Sequence, residues 1–143
     1  MIRGLNHVTL AVADLDRSVR FYGDVLGFRL AHRWARGAYL DGGGLWLALA
    51  LDPAATPASG ETHLALSVDA ADFDAACRRV LDAGAPEWRE DRSEGASLYV
   101  SDPDGHHLEL HVGSLASRLR ALGVPRASDV ARTDVRDHPT SCF

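Results

Sequence analysis

The chain has 143 residues, 46% hydrophobic and 24% charged, a balance that suits one globular domain and leaves too little for two. Its formal net charge of -5 argues against a nucleic-acid partner, and no apolar run is long enough to span a membrane. MIRGLNHV at the N-terminus lacks the apolar stretch of a secretory signal, so a cytoplasmic location is expected.

The first element is a strand at His7–Val12, where apolar and polar residues alternate. The period then changes from 2 to 3.6. Asp14 is placed to cap a helix whose apolar stripe is Val19, Phe21, Tyr22, Val25 and Leu26, and Gly27 stops it. Three short strands follow at about 28–34, 37–41 and 45–51, the last two separated by Gly42-Gly43-Gly44. Asp52–Gly60, with Pro53 and Pro57, reads as a linker.

The pattern then repeats. Residues 61–84 (ETHLALSVDAADFDAACRRVLDAG) match residues 5–28 (LNHVTLAVADLDRSVRFYGDVLGF) in the order His, strand, Asp-containing turn, helix, Gly. The second strand is Leu64–Val68, and its helix carries Phe73, Ala76, Cys77, Val80 and Leu81. Strands at about 86–90, 97–101 and 106–112 complete the copy, with Asp102-Pro103-Asp104-Gly105 as the last turn. Cys77 reads as a small buried hydrophobe, and with Cys142 it forms no metal or redox motif. The expected architecture is α+β: βαβββ twice (repeat one 1–52, repeat two 61–112), with helices outside a curved mixed sheet. A short helix at 114–122 closes a single domain of 1–122, and 123–143 is a polar tail.

The chemistry follows from the repeat. His7 and His63 occupy matching positions, and a pseudo-twofold relation between the halves would bring them together. The last strand puts His107, Glu109 and His111 on one face and Leu108, Leu110 and Val112 on the other, and a face that polar does not pack in a core. His7, His63 and Glu109 suit a divalent ion such as Mn²⁺, Fe²⁺ or Zn²⁺, with positions left open for substrate. The symmetric fourth position falls near Leu47 or Ala48, and neither can ligate. His107 and His111 are readable as extra ligands or as outer hydrogen-bond donors. Residues 88–99 are dense in charge and hydroxyls. Arg89, Arg92, Ser93 and Ser97, with Arg118 beyond, form a candidate anion site. Tyr39, beside Gly37, can present a hydroxyl.

LNHVTLAVADL, GFRLAHRWARGAYL, GLWLAL, EWREDRSEGASLYVSDPDGHHLELHVG and SLASRL together resemble the fosfomycin-resistance glutathione transferases of the FosA type. That branch lies in the vicinal oxygen chelate superfamily, the glyoxalase and bleomycin-resistance fold. The resemblance runs from about Ile2 to Leu122. It implies a Mn²⁺-dependent homodimer that opens the fosfomycin epoxide with glutathione, His7 and Glu109 of one chain sharing the metal with His63 of the other. It implies K⁺ activation through a loop of Asp91, Ser93, Glu94, Gly95 and Ser97. Thr9, Tyr39 and Arg118 would be catalytic, and Trp46, Arg89, Ser93, Tyr99 and Arg118 would contact substrate. Glu61 and Ala50 depart from the branch, which usually has Tyr and Ser there. A hydrolase or isomerase of the same fold, and a drug-sequestering binding protein, are the competing readings.

Overall fold

The computed structural model describes residues 1–92 and 94–124. Each half of the chain forms its own four-stranded sheet. β1 (His7–Val12), β2 (Arg29–Trp34), β3 (Gly37–Asp41) and β4 (Trp46–Leu51) lie in the order β1-β4-β3-β2. β5 (Leu64–Ser67), β6 (Glu87–Arg89), β7 (Ala96–Ser101) and β8 (His107–Val112) lie in the order β5-β8-β7-β6. The α+β class and the duplicated unit are as expected. The mixed sheet comes in two four-stranded pieces, each with one parallel pair, β1 with β4 and β5 with β8.

Local chemistry accounts for the helices. α1 (Leu15–Arg20) begins at Asp14, whose side chain accepts from the Arg17 N–H at 2.9 Å. It then widens into one π-helical turn over Phe21–Val25, closed by Leu26 N–H to Phe21 C=O at 3.1 Å. The wider turn lets the adjacent Phe21 and Tyr22 both reach the core. α2 (Phe73–Asp82) buries Val80 but leaves Leu81 41% exposed, so Leu81 lies off the apolar stripe expected for it. α3 (Leu115–Ala121) starts with a capping box between Ser114 and Ser117. The expected tail lies, from residue 125 on, outside the described residues.

One core joins the halves. Leu40, Leu47 and Leu49 of the first sheet pack in the same cluster as Val100, Leu108 and Leu110 of the second, with Tyr22 and Val80 between. The β7–β8 turn reinforces this contact. Asp104 accepts from Ala13 N, Arg17 Nη2 and Ser18 Oγ at 2.8, 2.9 and 3.1 Å. Asp102, buried, accepts from the Tyr22 hydroxyl at 2.8 Å. Burial and the Asp102 carboxylate push the Tyr22 hydroxyl well above the usual tyrosine pKa.

Each sheet keeps its other face open. Every residue of β2 is exposed, and Trp34, Tyr39 and Trp46 are 40%, 37% and 39% exposed. His63, Ala65 and Ser67 are exposed in the second half.

Candidate metal and anion site

The parallel register of β5 and β8 pairs Ala65 with Glu109. His63, two residues before Ala65, therefore projects on the Glu109 face. His63 Nε2 lies 3.0 Å from Glu109 Oε2. The other ring nitrogen, Nδ1, is 2.7 Å from the Glu61 main-chain oxygen. A carbonyl only accepts, so Nδ1 carries a proton; unless Nε2 is protonated as well, it turns a bare lone pair toward a carboxylate. Two electron donors in that arrangement require a proton or a metal ion to join them. The donor chemistry fits a divalent metal, which replaces the proton and keeps the Nδ1–H contact as the support of the ring.

Glu109 is 6% exposed. Burial pushes its carboxyl up. Hydrogen bonds from Ser97, Tyr99 and His63 and the charge of His111 outweigh that and leave it below the ordinary glutamate value. Ser97 Oγ donates to Glu109 Oε1 at 2.6 Å and lies 2.8 Å from His111 Nδ1. His111 is thus placed as an outer partner of the carboxylate. His107 goes elsewhere: its ring stacks on Trp88 with centroids 4.1 Å apart.

His7 presents the same chemistry on the other sheet. Its Nδ1 is 2.8 Å from Asn6 Oδ1, and its ring lies against Trp46 at 4.6 Å. If Asn6 Oδ1 accepts that proton, Nε2 is again free to bind a metal. The two halves do not bring His7 to the other pair. No group of three or more His, Cys, Asp or Glu that could hold a metal exists among the described residues. The implied division, with His7 and Glu109 from one chain and His63 from another, is corrected. Glu109 belongs with His63 of its own chain, because β5 and β8 are hydrogen-bonded neighbours. What the repeat equates are positions in the two sheets, and each sheet faces its own way.

The remaining candidates fall into three groups. Thr9, Tyr39 and Trp46 share the open face of the first sheet: Thr9 and Tyr39 both pair with Ala48, and Tyr39 meets Trp46 edge-on at 5.1 Å. Ala50 lies on that face too, opposite Gly37. Arg89 and Tyr99 are on the Glu109 face, where Tyr99 pairs with Glu109 and the Arg89 guanidinium lies 5.3 Å from the Tyr99 ring centroid. Sequence reasoning missed the ion pair that Arg89 makes with the Glu61 carboxylate.

The 91–97 segment meets the site through Ser97, whose hydroxyl donates to Glu109. Asp91 accepts from the Ser97 N–H at 3.1 Å. Gly95 has φ +88°, and a Cβ there would sit 2.5 Å from the Val112 carbonyl oxygen, so only glycine fits. Glu94 Oε2 is buried without a hydrogen-bond partner, 3.8 Å from Arg118 Nε. Ser93 lies outside the described residues.

Residues 4–110 match the family model of the Glyoxalase/Bleomycin resistance protein/Dioxygenase superfamily. The chain is 50% identical over 125 residues to a glutathione transferase FosA of Serratia marcescens, covering 85% of this chain and 89% of that protein. It is 40% identical over 126 residues to a metallothiol transferase FosB of Shouchella clausii, covering 83% and 86%. A crystal structure of the fosfomycin resistance protein FosX from Mesorhizobium loti superposes with a TM-score of 0.72 at 35% identity, over 83% of this chain and 99% of that one. A mutant FosX from Listeria monocytogenes, complexed with Mn(II) and 1S,2S-dihydroxypropylphosphonic acid, superposes with a TM-score of 0.71 at 27% identity, over 84% and 99%.

Proposed function

The chain belongs to the glyoxalase, bleomycin resistance protein and dioxygenase superfamily, and from that membership we propose that it is a metal-dependent thiol transferase that opens the epoxide of fosfomycin. The observation that carries the reading is the His63–Glu109 pair, two electron donors 3.0 Å apart with the Arg89 cation on the same face. The glutathione and metallothiol transferases at 50% and 40% identity support the reaction class.

Mn²⁺ is the metal we assign, as in the Listeria structure, held by His63 and Glu109 and completed by His7 of a second copy. When bound it supplies Lewis acidity for the oxygen of the opening ring. The residues of the chain do the rest. Arg89 neutralises the phosphonate and orients it, and Tyr99 beneath the guanidinium fixes the height of that charge. Arg118, held beside Glu94, adds a second cation, and Thr9 and Ser93 supply hydroxyls. Trp46 walls the pocket, while Tyr39 gives its hydroxyl to the thiol. The thiolate, supplied by glutathione, attacks the less hindered carbon of the ring, so the protein forms no covalent bond. K⁺ binds the loop of Asp91, Ser93, Glu94, Gly95 and Ser97, where the Glu94 oxygen that receives no hydrogen bond and the Asp91 carboxylate supply hard ligands.

A homodimer is part of the proposal. The exposed aromatic face of the first sheet needs a cover, and the polar face of the second needs a third ligand. Among the described residues no helix is long and apolar enough to cross a membrane.

The test is thiol consumption. Mixing the Mn²⁺-loaded protein, fosfomycin and glutathione should deplete free thiol and yield the thiol adduct by mass. The diol phosphonate in the Listeria structure supports a second reading, addition of water to the same epoxide. A product heavier by one water and no thiol loss would establish that reading instead. Unchanged fosfomycin with every cellular thiol would leave only sequestration.

A further inference from the structure

Both arginines of the cleft beside His63 already hold a carboxylate. The lining of the cleft includes Glu61, Trp88, Arg89, Glu90, Arg92 and His107. Arg92 pairs with Glu90 at 3.2 Å, and Arg89 pairs with Glu61. Glu61 is anchored from its backbone, because its main-chain oxygen holds His63 Nδ1 at 2.7 Å. Its carboxylate is 80% exposed and therefore free to swing away without disturbing that contact. Arg89 is the less mobile partner, lying over the Tyr99 ring on the Glu109 face.

We propose that Glu61 is a specificity-determining residue: its carboxylate occupies Arg89 as an internal anion, and an anionic substrate binds by exchange with it. The inference rests on the anion-binding role assigned to Arg89 above. An exposed ion pair contributes little stability, so a strong competitor displaces it readily. A phosphonate, with up to two charges and three acceptor oxygens, competes well for the guanidinium; a single carboxylate offers Arg89 nothing it does not already have. Glu61 thereby lowers affinity for all anions but penalises monoanions most.

The experiment is calorimetric titration of fosfomycin, without thiol, into the Mn²⁺-loaded full chain in four forms: wild type, Glu61→Gln, Arg89→Gln and the double variant. Glu61→Gln should bind roughly 2- to 5-fold tighter, the scale of one exposed ion pair. Arg89→Gln should bind more weakly, and adding Glu61→Gln to it should change nothing further. Acetate at equal concentration should compete with fosfomycin in Glu61→Gln and not in wild type. Unchanged or weaker binding in Glu61→Gln overturns the proposal, as does a gain of the same size in the Arg89→Gln background, which would mark a general charge effect. Unchanged binding in Arg89→Gln alone would instead overturn the anion-binding role of Arg89. Thermal unfolding of Glu61→Gln should match wild type, because the side chain is exposed.

Discussion

Two buried carboxylates of the second repeat, Asp102 and Glu109, are 3% and 6% exposed, and they serve opposite ends. Asp102 is saturated by neutral donors: the Tyr22 hydroxyl and the N–H groups of Asp104 and His106, at 2.8, 2.9 and 2.8 Å. Glu109 receives the Ser97 hydroxyl on one oxygen but turns the other to His63 Nε2, on a ring whose Nδ1–H is already given to the Glu61 main-chain oxygen. A satisfied buried carboxylate is cement; one left facing a lone pair is a ligand. The comparison predicts that damage to the first shows in stability and damage to the second in metal binding.

Glu109→Gln is the largest test. The amide keeps the shape and loses the charge. Mn²⁺ affinity should fall by more than about 100-fold, beyond the loss typical of an outer-shell change, and thiol transfer by more than about 10³-fold. The melting temperature of the metal-free protein should move by less than about 5 °C. Metal titration and calorimetric unfolding on one sample measure both. A variant that keeps metal but unfolds would make Glu109 another Asp102.

Asp102→Ala should reverse the signs. It strands the Tyr22 hydroxyl and two N–H groups in the core and should cost about 3 kcal/mol in denaturant unfolding. Mn²⁺ affinity of the folded fraction should stay within about twofold.

How far sequence alone separated these two carboxylates depended on what each signal encodes. Strand alternation carried the Glu109 face directly, since polar residues at every second position declare an open side. The repeat located His63 for the same reason. Alternation does not say which strand lies beside which, so the pairing of Glu109 with His63 within one chain appeared only with the β5–β8 register. Asp102 and Asp104 read as turn formers because that chemistry is local. Their second use, gripping α1 and Tyr22 across 80 and more positions of sequence, leaves no periodic trace. The Glu61–Arg89 pair was hidden likewise: both residues were visible, their contact was not.

Ser97→Ala sharpens the comparison on the ligand side. It removes the hydroxyl that donates to Glu109 Oε1 and also touches His111. Loss of an outer-shell donor should weaken Mn²⁺ roughly 10- to 100-fold while leaving stability near wild type. Equal losses from Ser97→Ala and Glu109→Gln would mean that Ser97 is itself a ligand.

The smallest effect is the most diagnostic of the structural carboxylate. The Tyr22 hydroxyl is raised above its ordinary 10.0 by burial and by Asp102. In the unfolded chain it ionises near 10, so above that pH the unfolded state binds fewer protons than the folded one and stability falls as pH rises. Tyr22→Phe abolishes that titration and costs about 1 kcal/mol at neutral pH, for the hydrogen bond Asp102 loses. Denaturant melts between pH 8 and 11 should therefore converge: wild type loses its advantage over Tyr22→Phe as the pH passes about 10. Curves that stay parallel would show that Tyr22 ionises as easily folded as unfolded, and Asp102 would then lack the closed, saturated environment that distinguishes it from Glu109.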